Sequence, residues 1–68
     1  MNADISNVFK QNLVWVKTEN VDFPYETMVK NVLWQIRLND FPEEPLYTLF
    51  IQGIPLFDFD DWPHNWQR

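Results

Sequence analysis

Residues 27–38 read TMVKNVLWQIRL. Val32, Trp34, Ile36 and Leu38 fall on one side of an extended chain, and Gln35, Arg37 and Asn39 on the other. This period of two is the pattern of a half-buried antiparallel strand, because successive strand side chains point to opposite faces. Just upstream, Lys30-Asn31 supplies a two-residue turn, Asn being tolerant of positive φ. The stretch therefore predicts a β-hairpin.

Working downstream, NDFPEEP (39–45) is a loop broken by Pro42 and Pro45. LYTLFIQGIPLFDF (46–59) predicts a second hairpin turning at Gln52-Gly53, where the glycine supplies positive φ. Tyr47, Leu49 and Ile51 form one face, and Thr48, Phe50 and Gln52 the other. Pro55 cannot donate to a ladder, so the last strand is expected at a sheet edge. DDWPHNW (60–66) reads as a capped helical turn, with Asp60 or Asp61 as cap and Pro63 near the first helical position. Trp62 and Trp66 stand one helical turn apart there and would stack on one surface.

Upstream, ENVDFPY (19–25) is a connector, since Pro24 disfavours helical backbone at Phe23. Ile5, Val8, Phe9, Leu13 and Val16 fall at helical offsets behind Asp4, a fair N-cap, which predicts a helix over about residues 4–11. Residues 12–18 stay open between a continued helix and a short strand, because Leu13-Val14-Trp15-Val16 is β-branched and aromatic. The summed expectation is an α+β fold. An N-terminal helix packs on a small, about four-stranded antiparallel β-meander, closed by a short C-terminal Trp-bearing helical turn. Residues 1–68 make one small domain.

A chain of 68 residues buries only about 60% of its unfolded surface and is marginal without help. The absence of cysteine excludes disulfides and thiolate metal sites. Four Trp, two Tyr and six Phe are the compensating apolar content. Aromatics also mark contact surfaces. The opening MNADISNVFKQ has neither a basic nor an apolar signal region, and no apolar run approaches the ~20 residues of a spanning helix. The chain reads as soluble and cytoplasmic, without a membrane role.

The net charge of −5 is one-sided. Residues 1–37 balance four acids (Asp4, Glu19, Asp22, Glu26) with four bases (Lys10, Lys17, Lys30, Arg37). Residues 38–68 carry six acids (Asp40, Glu43, Glu44, Asp58, Asp60, Asp61) against Arg68 alone. Direct nucleic-acid binding needs clustered Lys and Arg and is not expected. A basic protein is the natural complement.

Asp58, Asp60, Asp61 and His64 contain competent metal ligands, but their spacing matches no ligand pattern and no glycine shapes a Ca²⁺ loop. Solvated strand-edge charges and a helix cap account for them more simply, so no metal or cofactor is expected. Ser6 and His64, the single Ser and the single His, lie at opposite ends of the chain, and one glycine cannot build a phosphate loop. Catalysis is not expected. The remaining constellation is acidic and aromatic: Asp40, Phe41, Glu43 and Glu44 in one segment, and Asp58, Asp60, Asp61, Trp62 and Trp66 in another. In a meander the two segments can lie near one end of the sheet. Carboxylates would steer a basic partner and aromatics would supply buried contact. The plainer account is that the aromatics are core and the acids keep the chain in solution.

RLNDFPEEPLYTLF (37–50) and FDDWPHNW (59–66) resemble a group of short, uncharacterised bacterial proteins with an NDFP…PLYTL block and a terminal DDWP…W. Some such small acidic proteins look like immunity partners of bacterial toxins. The resemblance implies no catalytic residue. The leading expectation is a non-enzymatic acidic binding protein that neutralises or regulates a basic protein partner. The alternatives are an inhibitor that mimics nucleic acid with its carboxylates, and a small structural homo-oligomer joined through exposed aromatics and an edge strand.

Overall fold

The computed structural model describes the backbone of residues 5–68 and the side chains of residues 8–68. A helix α1 (Ile5–Lys10) leads into β1 (Leu13–Val14), β2 (Val16–Lys17), β3 (Tyr25–Val29), β4 (Val32–Leu38), β5 (Tyr47–Ile51), β6 (Ile54–Phe59) and β7 (Trp66–Gln67). Strands β2 to β6 form a five-stranded antiparallel meander in sequence order, and β1 pairs with β7 in a small parallel sheet. The expected N-cap Asp4 and the side chain of Ile5 lie outside the described residues.

The protein is therefore mostly β, which corrects the α+β expectation. The helix has six residues, the meander has five strands, and the C-terminal helical turn is absent. From Leu13 to Val16 the chain alternates, Leu13 and Trp15 buried, Val14 and Val16 exposed. That is a strand's period, and it overrides the helical offsets that Leu13 and Val16 also satisfy. At the other end, the Trp66 N–H donates to the Pro63 carbonyl at 3.0 Å, closing a single β-turn. The chain then runs extended beside β1. The Leu13 N–H donates to the Asn65 carbonyl at 3.3 Å and the Trp15 N–H to the Gln67 carbonyl at 2.7 Å. A helical turn at residues 60–66 would forfeit this ladder.

Both hairpin turns occur where the sequence puts them. Lys30 and Asn31 have φ of 51° and 66°, and Gln52 and Gly53 have φ of 55° and 79°. Positive φ at both central residues matches the right-handed twist of the flanking strands. Register across the meander centres on Ile36 opposite Leu49, the two fully buried side chains. Between Leu49 and Phe50 the register shifts, so that Leu49 faces Phe57 and Phe50 faces Pro55. Leu56 is the extra residue of this bulge. Pro55 sits beside it on an edge strand, where its missing N–H is tolerated.

Around Ile36 and Leu49 lies an aromatic shell. Trp15, Trp34, Tyr47 and Trp66 are buried, with Phe9, Phe57, Phe59 and Trp62 packed against them. The short helix contributes through Phe9. Its ring centroid is 5.1 Å from that of Phe57, 5.5 Å from Phe59 and 5.7 Å from Trp66. Tilted and edge-to-face contacts of this kind suit ring quadrupoles. The indole N–H groups of Trp15 and Trp66 are buried without a hydrogen-bond partner. Each indole has an edge-to-face neighbour, Trp62 for Trp15 and Phe59 for Trp66.

Candidate functional site

The meander brings three connections to one end of the sheet. There β3 begins, β4 ends, β5 begins and β6 ends, with Leu38, Tyr47 and Phe59 in register. The first connection, residues 18–24, is tied to that end by the Leu38 N–H donating to the Asp22 carbonyl at 3.2 Å. It is braced internally by Asn20, whose Oδ1 accepts from the Asp22 and Phe23 N–H groups at 2.9 and 3.2 Å. The second connection, residues 39–46, is closed by the Asn39 N–H donating to the Leu46 carbonyl at 3.0 Å. The third, residues 60–65, meets the second where Asp60 Oδ1 accepts the Leu46 N–H at 2.9 Å. Glu19, Asp22, Asp40, Glu43, Glu44, Asp60 and Asp61, seven of the ten acidic residues, lie on these connections.

The two acidic segments singled out in the sequence are thus neighbours, yet their residues have different duties. Glu44 Oε1 accepts the Asp40 N–H at 3.2 Å while the Glu44 N–H donates to the Asp40 carbonyl at 2.9 Å, which folds the loop on itself. Asp58 lies on β6 and accepts the Thr48 hydroxyl at 2.6 Å. That hydroxyl in turn accepts from Asn39 Nδ2 at 2.7 Å. Asp60 anchors Leu46, as above. Asp40, Glu43 and Asp61 are exposed, and Phe41 stands 60% exposed among them. Trp62 is half-buried, its indole N–H donating to the Trp66 carbonyl at 2.8 Å. Trp66 is 3% exposed and belongs to the core, so it offers no contact surface.

An open cleft of ≈ 670 Å³ lies against Phe9, Phe59, Asp61, Trp62 and His64. Among the described residues, no three His, Cys, Asp or Glu side chains group as they would around a metal ion. Two members of the acidic cluster are turned to other tasks, Asp58 to Thr48 and Asp60 to Leu46.

One constellation was not read from the sequence. Arg68, which follows β7, lies with its guanidinium carbon 4.4 Å from the Trp62 ring centroid and 5.9 Å from that of Tyr25. Its Nη1 donates to the Tyr47 hydroxyl at 3.3 Å. Tyr25 and Tyr47 flank Trp62, with centroids 5.2 and 5.4 Å away. The hydrogen bond to Tyr47, the largest influence, raises the Arg68 pKa from its ordinary value. The sequence held only a faint signal of this cluster: Arg68 is the single base of the acidic half.

Among the described residues, no helix is long and apolar enough to cross a membrane. No protein-family model, curated protein or solved structure matches the chain.

Proposed function

We propose that this chain is a non-enzymatic binding protein whose acidic, loop-built end engages a basic protein partner, as a toxin-immunity protein does. The observation that carries the reading is the convergence of seven of the ten acids on one end of the meander. Asp40, Glu43 and Asp61 are exposed there and steer a cationic partner, and Phe41 supplies an apolar anchor. A standard interface takes about 800 Å² from each partner, about a sixth of this chain's 5082 Å² surface.

The test is affinity capture at low salt, followed by direct titration of each captured protein. The triple variant Asp40→Asn/Glu43→Gln/Asp61→Asn keeps the fold and slows association with the basic partner about tenfold at low salt, because steering depends on these charges. Wild-type association slows as salt rises. Captured proteins that are all neutral or acidic, or an unchanged on-rate in the triple variant, defeat the reading.

A second reading, the homo-oligomer, is favoured by one observation. The edge strand β6 exposes Ile54 and Leu56, at 61% and 43%. The net charge of −5 opposes the approach of a second copy. Sedimentation of a monomer at high concentration removes this reading.

A further inference from the structure

We infer that Tyr25, Tyr47 and Trp62 form a recognition site for an arginine side chain, which Arg68 of the chain itself occupies and which an arginine of the basic partner takes over. The inference deepens the proposed function and rests on it for the identity of the visitor.

The geometry is that of a cation site. A guanidinium within about 6 Å of a ring centroid is attracted by the negative ring face, most strongly for Trp. Arg68 meets this condition at Trp62, 4.4 Å, and at Tyr25, 5.9 Å. The Tyr47 hydroxyl adds a directed acceptor for one of the guanidinium N–H groups. The walls are held before any visitor arrives. Trp62 is locked through its N–H to the Trp66 carbonyl at 2.8 Å. Tyr25 and Tyr47 open strands β3 and β5, so the backbone ladder sets their positions. A preformed site spends little of its affinity on ordering.

The occupant is held loosely. Arg68 is exposed, and its bond to Tyr47, at 3.3 Å, is longer than the usual 2.7–3.2 Å range. An exposed cation–π contact is weak enough to be exchanged. The cage also lies at the acidic end of the sheet, where Asp60 and Asp61 immediately precede Trp62 in the chain. Cations are concentrated there. Arg68 thus acts as a built-in competitor. Removing it raises the fraction of open sites and tightens arginine binding by about two- to fivefold.

The experiment uses N-acetyl-arginine amide as probe, with N-acetyl-norleucine amide as the uncharged control. The Trp62 indole N–H resonance is followed in wild type, Arg68→Ala and Arg68→Gln, with thermal melts for each. The expected result is a saturable shift of that resonance with the arginine probe alone, at two- to fivefold lower concentration in both Arg68 variants. Tyr47→Phe in the Arg68→Ala background keeps the ring, loses the hydroxyl, and binds at least twofold more weakly. If Arg68 only clamps the fold, its variants melt lower and Trp62 ignores the probe, which overturns the inference. Equal affinity in wild type and both variants overturns it too. The probe needs no protein partner. A silent cage beside an acid-dependent basic partner therefore rejects this inference alone. A responsive cage with no basic partner rejects the proposed function and leaves an arginine site.

Discussion

Replacing Thr48 by Val tests whether Asp58 braces the fold or waits for a partner. Thr48 is buried, at 8% exposure, on a strand whose other buried side chains are apolar. Its hydroxyl donates to Asp58 Oδ1 at 2.6 Å and accepts from Asn39 Nδ2 at 2.7 Å. This one oxygen ties β5 to β6 and to the start of the 39–46 loop. Valine keeps the shape and removes both bonds. A hydrogen bond to a charged group contributes about 1.5–3 kcal/mol. The lower figure applies, because Asp58 is exposed and water replaces the lost donor. The Asn39 bond adds about 1 kcal/mol, since Asn39 Nδ2 retains the Pro45 carbonyl at 2.9 Å. The additional buried methyl offsets about 0.8 kcal/mol. The net cost is about 1.5–2 kcal/mol, or a fall of about 10 °C in Tm for a domain of this size. Urea unfolding followed by tryptophan emission reads it, with an unchanged slope as evidence of an unaltered unfolding transition. Thr48→Ser, which keeps the hydroxyl, loses much less. In a cycle with Asp58→Ala the two sites couple by about 1 kcal/mol. Thr48→Val within about 0.5 kcal/mol of wild type, or no coupling to Asp58, refutes the bracing role.

The remaining acids and tryptophans give two further expectations. Asp60→Ala costs about 1 kcal/mol, because it strips the Leu46 N–H of its acceptor, whereas Asp61→Ala stays within about 0.5 kcal/mol of wild type; equal losses in urea melts would contradict the division of the two. In single-Trp variants, Trp66 at 3% exposure emits to the blue and resists acrylamide, while half-buried Trp62 is the more quenchable; the reverse order would displace Trp66 from the core.

Much of the meander is legible because its rules are local. The alternation over residues 32–38, the turns at Lys30-Asn31 and Gln52-Gly53, and the edge placement of Pro55 depend on residues within a few positions of one another. The chain from Leu13 to Val16 obeys two local rules at once, so local reasoning left it open. The candidate site was half legible. Its acids and Phe41 could be named, but which of them are engaged internally could not. Asp58 depends on Thr48 and Asp60 on Leu46, and both bonds cross between strands or loops.

The sequence by itself determined the hairpins, the polar loops and the one-sided charge, because strand period, turn backbone and formal charge are properties of short segments. The tertiary structure decided the rest. It pulled residues 13–14 into a parallel ladder with residues 66–67. It sent Trp66 inward and left Trp62 half-buried at the surface. It gathered three separate acidic loops at one end and laid Arg68 across Trp62. Each of these joins residues from distant parts of the chain, and no local propensity distinguishes the partner chosen from the many others available. Burial of the aromatic shell favours that choice, because the β1–β7 pairing covers Trp15, Trp66 and Phe9 together while keeping the backbone beside them hydrogen-bonded.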